Sequence, residues 1–156
     1  MACACFSTPQ EQIVADEELI SRTKTIVLAT VIKAELTEDN QNSVRFHFTK
    51  VRTLKGDSPQ HFTIDGDSAA HGDPLDDFYG HSKPSFWESG GGRSWHDTDC
   101  AIHPTFAVGG TFLIFLDKPY HRKSFELILR SPDAAPEVQD KWLKWVESHI
   151  RDNPPK

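Results

Sequence analysis

The chain has 156 residues, 37% of them hydrophobic and 26% charged, with a formal net charge of -6. The mean hydropathy is -0.50, and the length suits one globular domain, taken here as residues 3–156. The acidic balance excludes a general nucleic-acid binder, which needs a basic footprint, and no apolar run approaches the roughly 20 residues of a membrane span.

The first feature along the chain is Cys3-Ala4-Cys5. The third cysteine is Cys100, ahead of a strand-like apolar run. An odd count leaves one thiol free, modified or paired between molecules. A bridge from Cys3 or from Cys5 to Cys100 closes nearly two thirds of the chain into one loop. In the chain-entropy model that closure is worth about 4–5 kcal/mol. The opening Met1-Ala2 is either a native start or stands where a leader has been removed; the second is the expectation, and it places the protein outside the cell or in the cell envelope. In a reducing cytosol the thiols would stay reduced.

Thr8-Pro9-Gln10-Glu11 reads as a helix start, with Thr8 as cap, Pro9 in the first turn and Glu11 reaching back. The predicted helix runs to about Arg22. Residues 25–32 are β-branched and almost continuously apolar, and a first strand is expected at 25–36. A polar turn at 38–42 precedes residues 44–54, where Val44, Phe46, Phe48 and Val51 alternate with Arg45, His47 and Lys50. The slip from even to odd spacing at Val51 predicts a bulge. Residues 60–65 form a short third strand after the turn at Leu54-Lys55-Gly56-Asp57.

Regularity stops from Asp65 to Asp99. A loop this long is usually functional or mobile, and the triplet Gly90-Gly91-Gly92 is its expected weak point. Phe78, Tyr79, Phe86, Trp87 and Trp95 are too many aromatics for a linker, so part of it should pack. A fourth strand at 110–117 and a fifth at 124–130 follow. Val138, Trp142, Trp145, Val146 and Ile150 share one face of a C-terminal amphipathic helix at 136–151, a stripe read as core. The expected fold is mainly β: a five-stranded antiparallel OB-type barrel with an N-terminal and a C-terminal helix. A sandwich or open meander fits the pattern nearly as well.

Several segments together resemble the netrin-like modules. They are Cys3-Ala4-Cys5, the Thr-Pro-Gln-Glu helix start, the strand 28–36, Val51-Arg52-Thr53-Leu54-Lys55-Gly56-Asp57, and Cys100 followed by the Val108-Gly109-Gly110-Thr111-Phe112-Leu113-Ile114-Phe115-Leu116-Asp117 segment. Within that group the chain looks most like the inhibitory domain of tissue inhibitors of metalloproteinases, over roughly residues 3 to 130. The resemblance implies an OB barrel and a Cys3–Cys100 disulfide. It also implies a binding wedge of Cys3, Ala4 and Cys5 directed at a protein partner, a zinc metalloprotease. The usual partner of the second cysteine lies in the last barrel strand, where this chain has Phe125-Glu126-Leu127-Ile128-Leu129, so Cys5 is left over. In those inhibitors the α-amine and carbonyl of the first cysteine displace the water in the open position of catalytic zinc. The same act here requires processing that exposes Cys3, and Ala4 would offer only a methyl to the specificity pocket.

Two further readings stay open. One is an envelope lipoprotein or structural module, with Cys3 carrying lipid and Cys5 paired to Cys100. The other is an enzyme or metal-binding protein using residues 65–103. That stretch offers His71, Asp73, Asp76, Asp77, His81, His96, Asp97, Asp99 and His103. Their spacing matches no zinc or calcium motif. They read as solvated loop residues, and no nucleophile elbow or phosphate loop is present. The protein is expected to be no enzyme and to need no cofactor or metal.

Overall fold

The computed structural model describes residues 7–38, 40–67, 81, 83–88, 91–92, 99–130 and 140–156. Five strands form one antiparallel sheet: β1 (Ile26–Thr37), β2 (Asn40–Lys55), β3 (His61–Asp67), β4 (Thr111–Phe115) and β5 (Phe125–Leu129). Their order is β3-β2-β1-β4-β5. β1 is central because it carries β2 on one edge and β4 on the other. Against β2 the pairing passes from Leu28 with Arg52 to Ala29 with Lys50, so Val51 is skipped. This is the expected bulge, and Val51 is left exposed. The polar turn is tighter than expected, since β2 already begins at Asn40.

The near-continuous apolar runs of β1 and β4 follow from burial on both faces. On one face Val27, Ala29, Val31, Phe46, Phe48, Ile64, Phe112, Ile114, Phe125 and Leu127 share a core with Ile102 and Phe106. All five strands contribute to it, so the sheet curls around this cluster. Phe106 sits at its centre, with ring centroids 5.1 Å from Phe46, 4.9 Å from Phe48, 4.9 Å from Phe112 and 5.5 Å from Phe125. Replacing Phe106 with alanine is expected to cost about 3–5 kcal/mol in urea denaturation. A cost below about 1 kcal/mol would mean that this ring does not hold the sheet's two halves together.

The curled sheet is open. Among the described residues nothing pairs β3 with β5, so the expected barrel closure is absent there. The segment before β4 takes that place: Asp67 N–H donates to the Pro104 carbonyl at 3.0 Å. The fit requires Gly66, because a Cβ there would lie 1.8 Å from the Pro104 oxygen.

Three helices cover the other face: α1 (Asp16–Arg22), α2 (Pro84–Trp87) and α3 (Lys141–Asp152). Leu19, Ile20, Phe86, Trp142 and Val146 meet Ile26, Leu28, Leu113 and Phe115 there. Of the predicted stripe, Trp142 and Val146 are core, while Trp145 and Ile150 are only half-buried against it. No helix among the described residues is long and apolar enough to cross a membrane.

The N-terminal helix differs from expectation. It is broken into one 3-10 turn at Gln10–Gln12, whose Pro9 cap position makes no side-chain cap bond, and then α1. The reason is tertiary. The Gln12 carbonyl accepts from Arg122 N–H at 3.0 Å, and the Val14 carbonyl accepts from His121 Nε2 at 2.8 Å. Neither is available to continue a helix. The long loop packs in part, as its aromatics suggest: Phe86 is buried. Gly91 and Gly92 are packed as well. A Cβ at Gly91 would meet the Ser85 oxygen at 2.4 Å, and one at Gly92 would meet the Lys123 side chain at 2.8 Å. Gly90, Phe78, Tyr79, Trp95 and Val138 lie outside the described residues.

Candidate functional site

Of the cysteines, Cys100 is described and is disulfide-bonded. Cys3, Ala4 and Cys5 lie outside the described residues. Cys100 adopts φ 61°, a left-handed conformation that a residue with a Cβ rarely takes. Its carbonyl accepts a hydrogen bond of 2.7 Å from Gln12 Nε2. Gln12 is buried, so this bond is shielded from water. Through its own carbonyl Gln12 also holds the turn before β5. Arg22 adds a bond of 2.7 Å from Nη2 to the Glu11 carbonyl. The segment entering the fold near residue 9 is thus fastened both to Cys100 and to the sheet.

Beside Cys100, Asp99 accepts from Ala101 N–H and from His103 Nε2, each at 2.9 Å. The His103 bond holds the Asp99 carboxyl below the usual range. Asp99 is exposed and His103 partly so, in keeping with solvated loop residues.

His81 does not behave that way. It is 3% exposed. Its Nδ1 lies 2.6 Å from Asp140 Oδ2 and its Nε2 lies 3.0 Å from Glu126 Oε2. Burial alone would lower its pKa, but the bonds to Asp140 and Glu126 and their charges outweigh that and push it up to about 9. The ring is therefore an imidazolium that donates from both nitrogens. It has no lone pair for a metal or a substrate proton. Asp140 also caps α3 by accepting from Leu143 N–H at 3.0 Å. Nearby, Lys123 is buried and donates to both oxygens of Asp16 at 2.9 and 3.0 Å. Its Nζ stands 4.5 Å from the Phe86 ring centre and 5.5 Å from that of Trp142. Burial outweighs the Lys123 contact at Asp16 and raises that carboxyl. The His81 pairs with Glu126 and Asp140 thus tie β5 to the start of α3, and the Lys123–Asp16 pair ties α1 to the turn before β5; α2 joins through the Phe86 ring against Lys123.

His121 is the opposite case. Burial is the main cause pushing it down to about 4. The neutral ring donates from Nε2 to Val14 and accepts at Nδ1 from Lys123 N–H at 3.0 Å.

The two histidines predict a stability maximum near pH 6.5. His81 has a raised folded pKa, so its contribution is full below about 6.5 and is lost as pH rises through about 9. His121 has a depressed one, so its contribution is full above about 6.5 and is lost as pH falls through about 4. Urea midpoints measured from pH 4 to 9.5 should fall on both sides. A midpoint that stays level between pH 6.5 and 9 would contradict the His81 assignment.

Among the described residues no group of three His, Cys, Asp or Glu is placed to hold a metal ion. His71, Asp73, Asp76, Asp77, His96 and Asp97 lie outside them. Sequence reasoning missed Gln12, His121, Lys123 and Glu126. One signal was present: Glu126 is a lone charge inside the apolar strand Phe125–Leu129, and such a charge needs a buried partner. The chain matches no protein-family model, and no curated protein sequence is significantly similar to it.

Proposed function

We propose that this protein is a secreted or cell-envelope binding module of the netrin-like, OB type, which engages a zinc metalloprotease through a processed N-terminus at Cys3. The observation that carries the reading is the anchorage of Cys100. It is disulfide-bonded, held in a left-handed conformation and fastened by buried Gln12 to the segment leading back to residue 9. A short N-terminal wedge bridged to such a point would lose little freedom on binding, which favours affinity. The order β3-β2-β1-β4-β5 supports the OB part of the reading, because joining β3 to β5 would complete a five-stranded barrel. The free amine and carbonyl of Cys3 would then take the open position on the protease's zinc, with Ala4 and Cys5 following into the cleft.

Peptide mapping without reductant tests the anchorage. The expected result is a Cys3–Cys100 link with Cys5 as the free thiol. A Cys5–Cys100 link would remove the wedge and favour the lipoprotein reading.

A further inference from the structure

β1 has an edge that the sheet does not use. β4 pairs with it only over residues 26–30. The last bonds there are Val31 N–H to the Gly110 carbonyl at 3.0 Å and Gly109 N–H to the Val31 carbonyl at 2.8 Å. Beyond Val31 no described strand lies on that side, while on the other side β2 skips Ile32 at a bulge and pairs again from Lys33 with His47 to Leu36 with Val44. Residues 32–36 are all exposed, with Ile32 at 54% and Leu36 at 64%. Leu36 shares a sheet face with Val44, its partner on β2, and Ala34 shares it with Phe46. Val44 and Phe46 are buried in the core, so this core reaches the surface along the open edge. An unpaired strand edge with apolar side chains is a template for another strand.

The sequence of the edge says which strand. Ile32-Lys33-Ala34-Glu35-Leu36 is self-complementary about Ala34. Laid antiparallel on a second copy about a two-fold axis at Ala34, Lys33 stands opposite the partner's Glu35, and Ile32 opposite the partner's Leu36. A shift by one two-residue step fails. Centring on residue 33 sets Lys33 against the partner's Lys33, and centring on residue 35 sets Glu35 against the partner's Glu35. Like charges directly opposite each other are destabilising. The available window is itself centred on Ala34: it starts after the last β4-side bonds at Val31 and ends where the hairpin turns, with Thr37 opposite Asn40. In the single chain Lys33 Nζ sits 2.6 Å from Glu35 Oε2, with both side chains largely exposed. The other Glu35 oxygen accepts from His47 Nε2 at 2.6 Å, so turning to a partner exchanges these exposed contacts for new ones.

We propose that two copies of this chain associate through residues 32–36 of β1 as an isologous, antiparallel edge-to-edge dimer with its two-fold axis at Ala34. The contact joins the two sheets into one. It is small, so the dimer is weak.

Sedimentation equilibrium of the full chain tests this through paired charge reversals. The wild type should dimerise reversibly and run as a monomer on a denaturing gel without reductant. K33E alone and E35K alone should each weaken self-association about tenfold or more, because each creates two like-charge contacts across the axis. An equimolar mixture of K33E and E35K should recover the wild-type affinity, since every facing pair is then opposite in sign. That recovery also shows both variants to be folded. A wild type that stays monomeric up to about 500 µM, beyond the range of weak specific contacts, would overturn the proposal. So would single variants that dimerise like the wild type, or a mixture that stays monomeric.

Discussion

Replacing His81 with alanine is expected to destabilise the protein by about 3–5 kcal/mol, the loss typical of breaking a buried ion pair from one side. The variant removes an imidazolium that donates 2.6 Å to Asp140 and 3.0 Å to Glu126. Both carboxylates keep their charge or take up a proton, and either change is costly inside the fold. Phe86, whose ring centre lies 4.6 Å from that of His81, loses a neighbour at the same time. His81→Gln should recover part of the loss, because an amide can donate to one of the two carboxylates. The pH profile separates this account from simple loss of packing: the alkaline arm of the stability curve should vanish in His81→Ala. Urea unfolding of the three proteins at pH 6.5 and 9 measures it. Equal stability of wild type and His81→Ala at pH 6.5 would mean that the network carries no net energy.

The second large effect concerns Cys100. Cys100→Ser should lose the stabilisation of a long closed loop, about 4–5 kcal/mol in the chain-entropy model. That is a large share of a typical domain's total, about 5–15 kcal/mol. The serine also inherits the left-handed backbone, φ 61°. Cys100→Gly loses the same bridge but relieves the conformation, so it should be more stable than the serine variant by roughly 1–2 kcal/mol. Thermal or urea unfolding under non-reducing conditions distinguishes the three. Serine and glycine variants of equal stability would mean that the conformation at residue 100 is not strained.

The strands were legible in the sequence because burial imposes its period on them. Val44, Phe46 and Phe48 alternate because one face of β2 meets the core. The bulge at Val51 showed as a slip in that alternation. The C-terminal helix was legible through Trp142 and Val146, one turn apart on a buried face. What stayed hidden depended on partners far apart in the chain. His81 finds Glu126 across 45 residues and Asp140 across 59, so no local pattern marked it as an ion-pair centre rather than a solvated loop histidine. The break after Gln12 was hidden for the same reason. The bonds to Gln12 and Val14 come from Arg122 and His121. Closure of the sheet depended on where residues 102–106 run, and irregular backbone leaves no periodic trace. Cys100 was legible as an anchor because it is one of only three cysteines.

The proposed wedge rests on one chemical requirement, a basic amine at Cys3. Any preceding residue turns that amine into an amide, which has no lone pair for zinc, and pushes backbone into the cleft. Losing a metal ligand of this kind should cost several kcal/mol, and every 1.4 kcal/mol is about tenfold in affinity. The most direct measurement is the inhibition constant of two versions, one beginning Met1-Ala2 and one beginning at Cys3, against a panel of zinc proteases. The account predicts that the version beginning at Cys3 inhibits at least one of them a hundredfold or more tightly, on the order of 3 kcal/mol. Equal potency of the two versions, or equal inactivity across the panel, would contradict it.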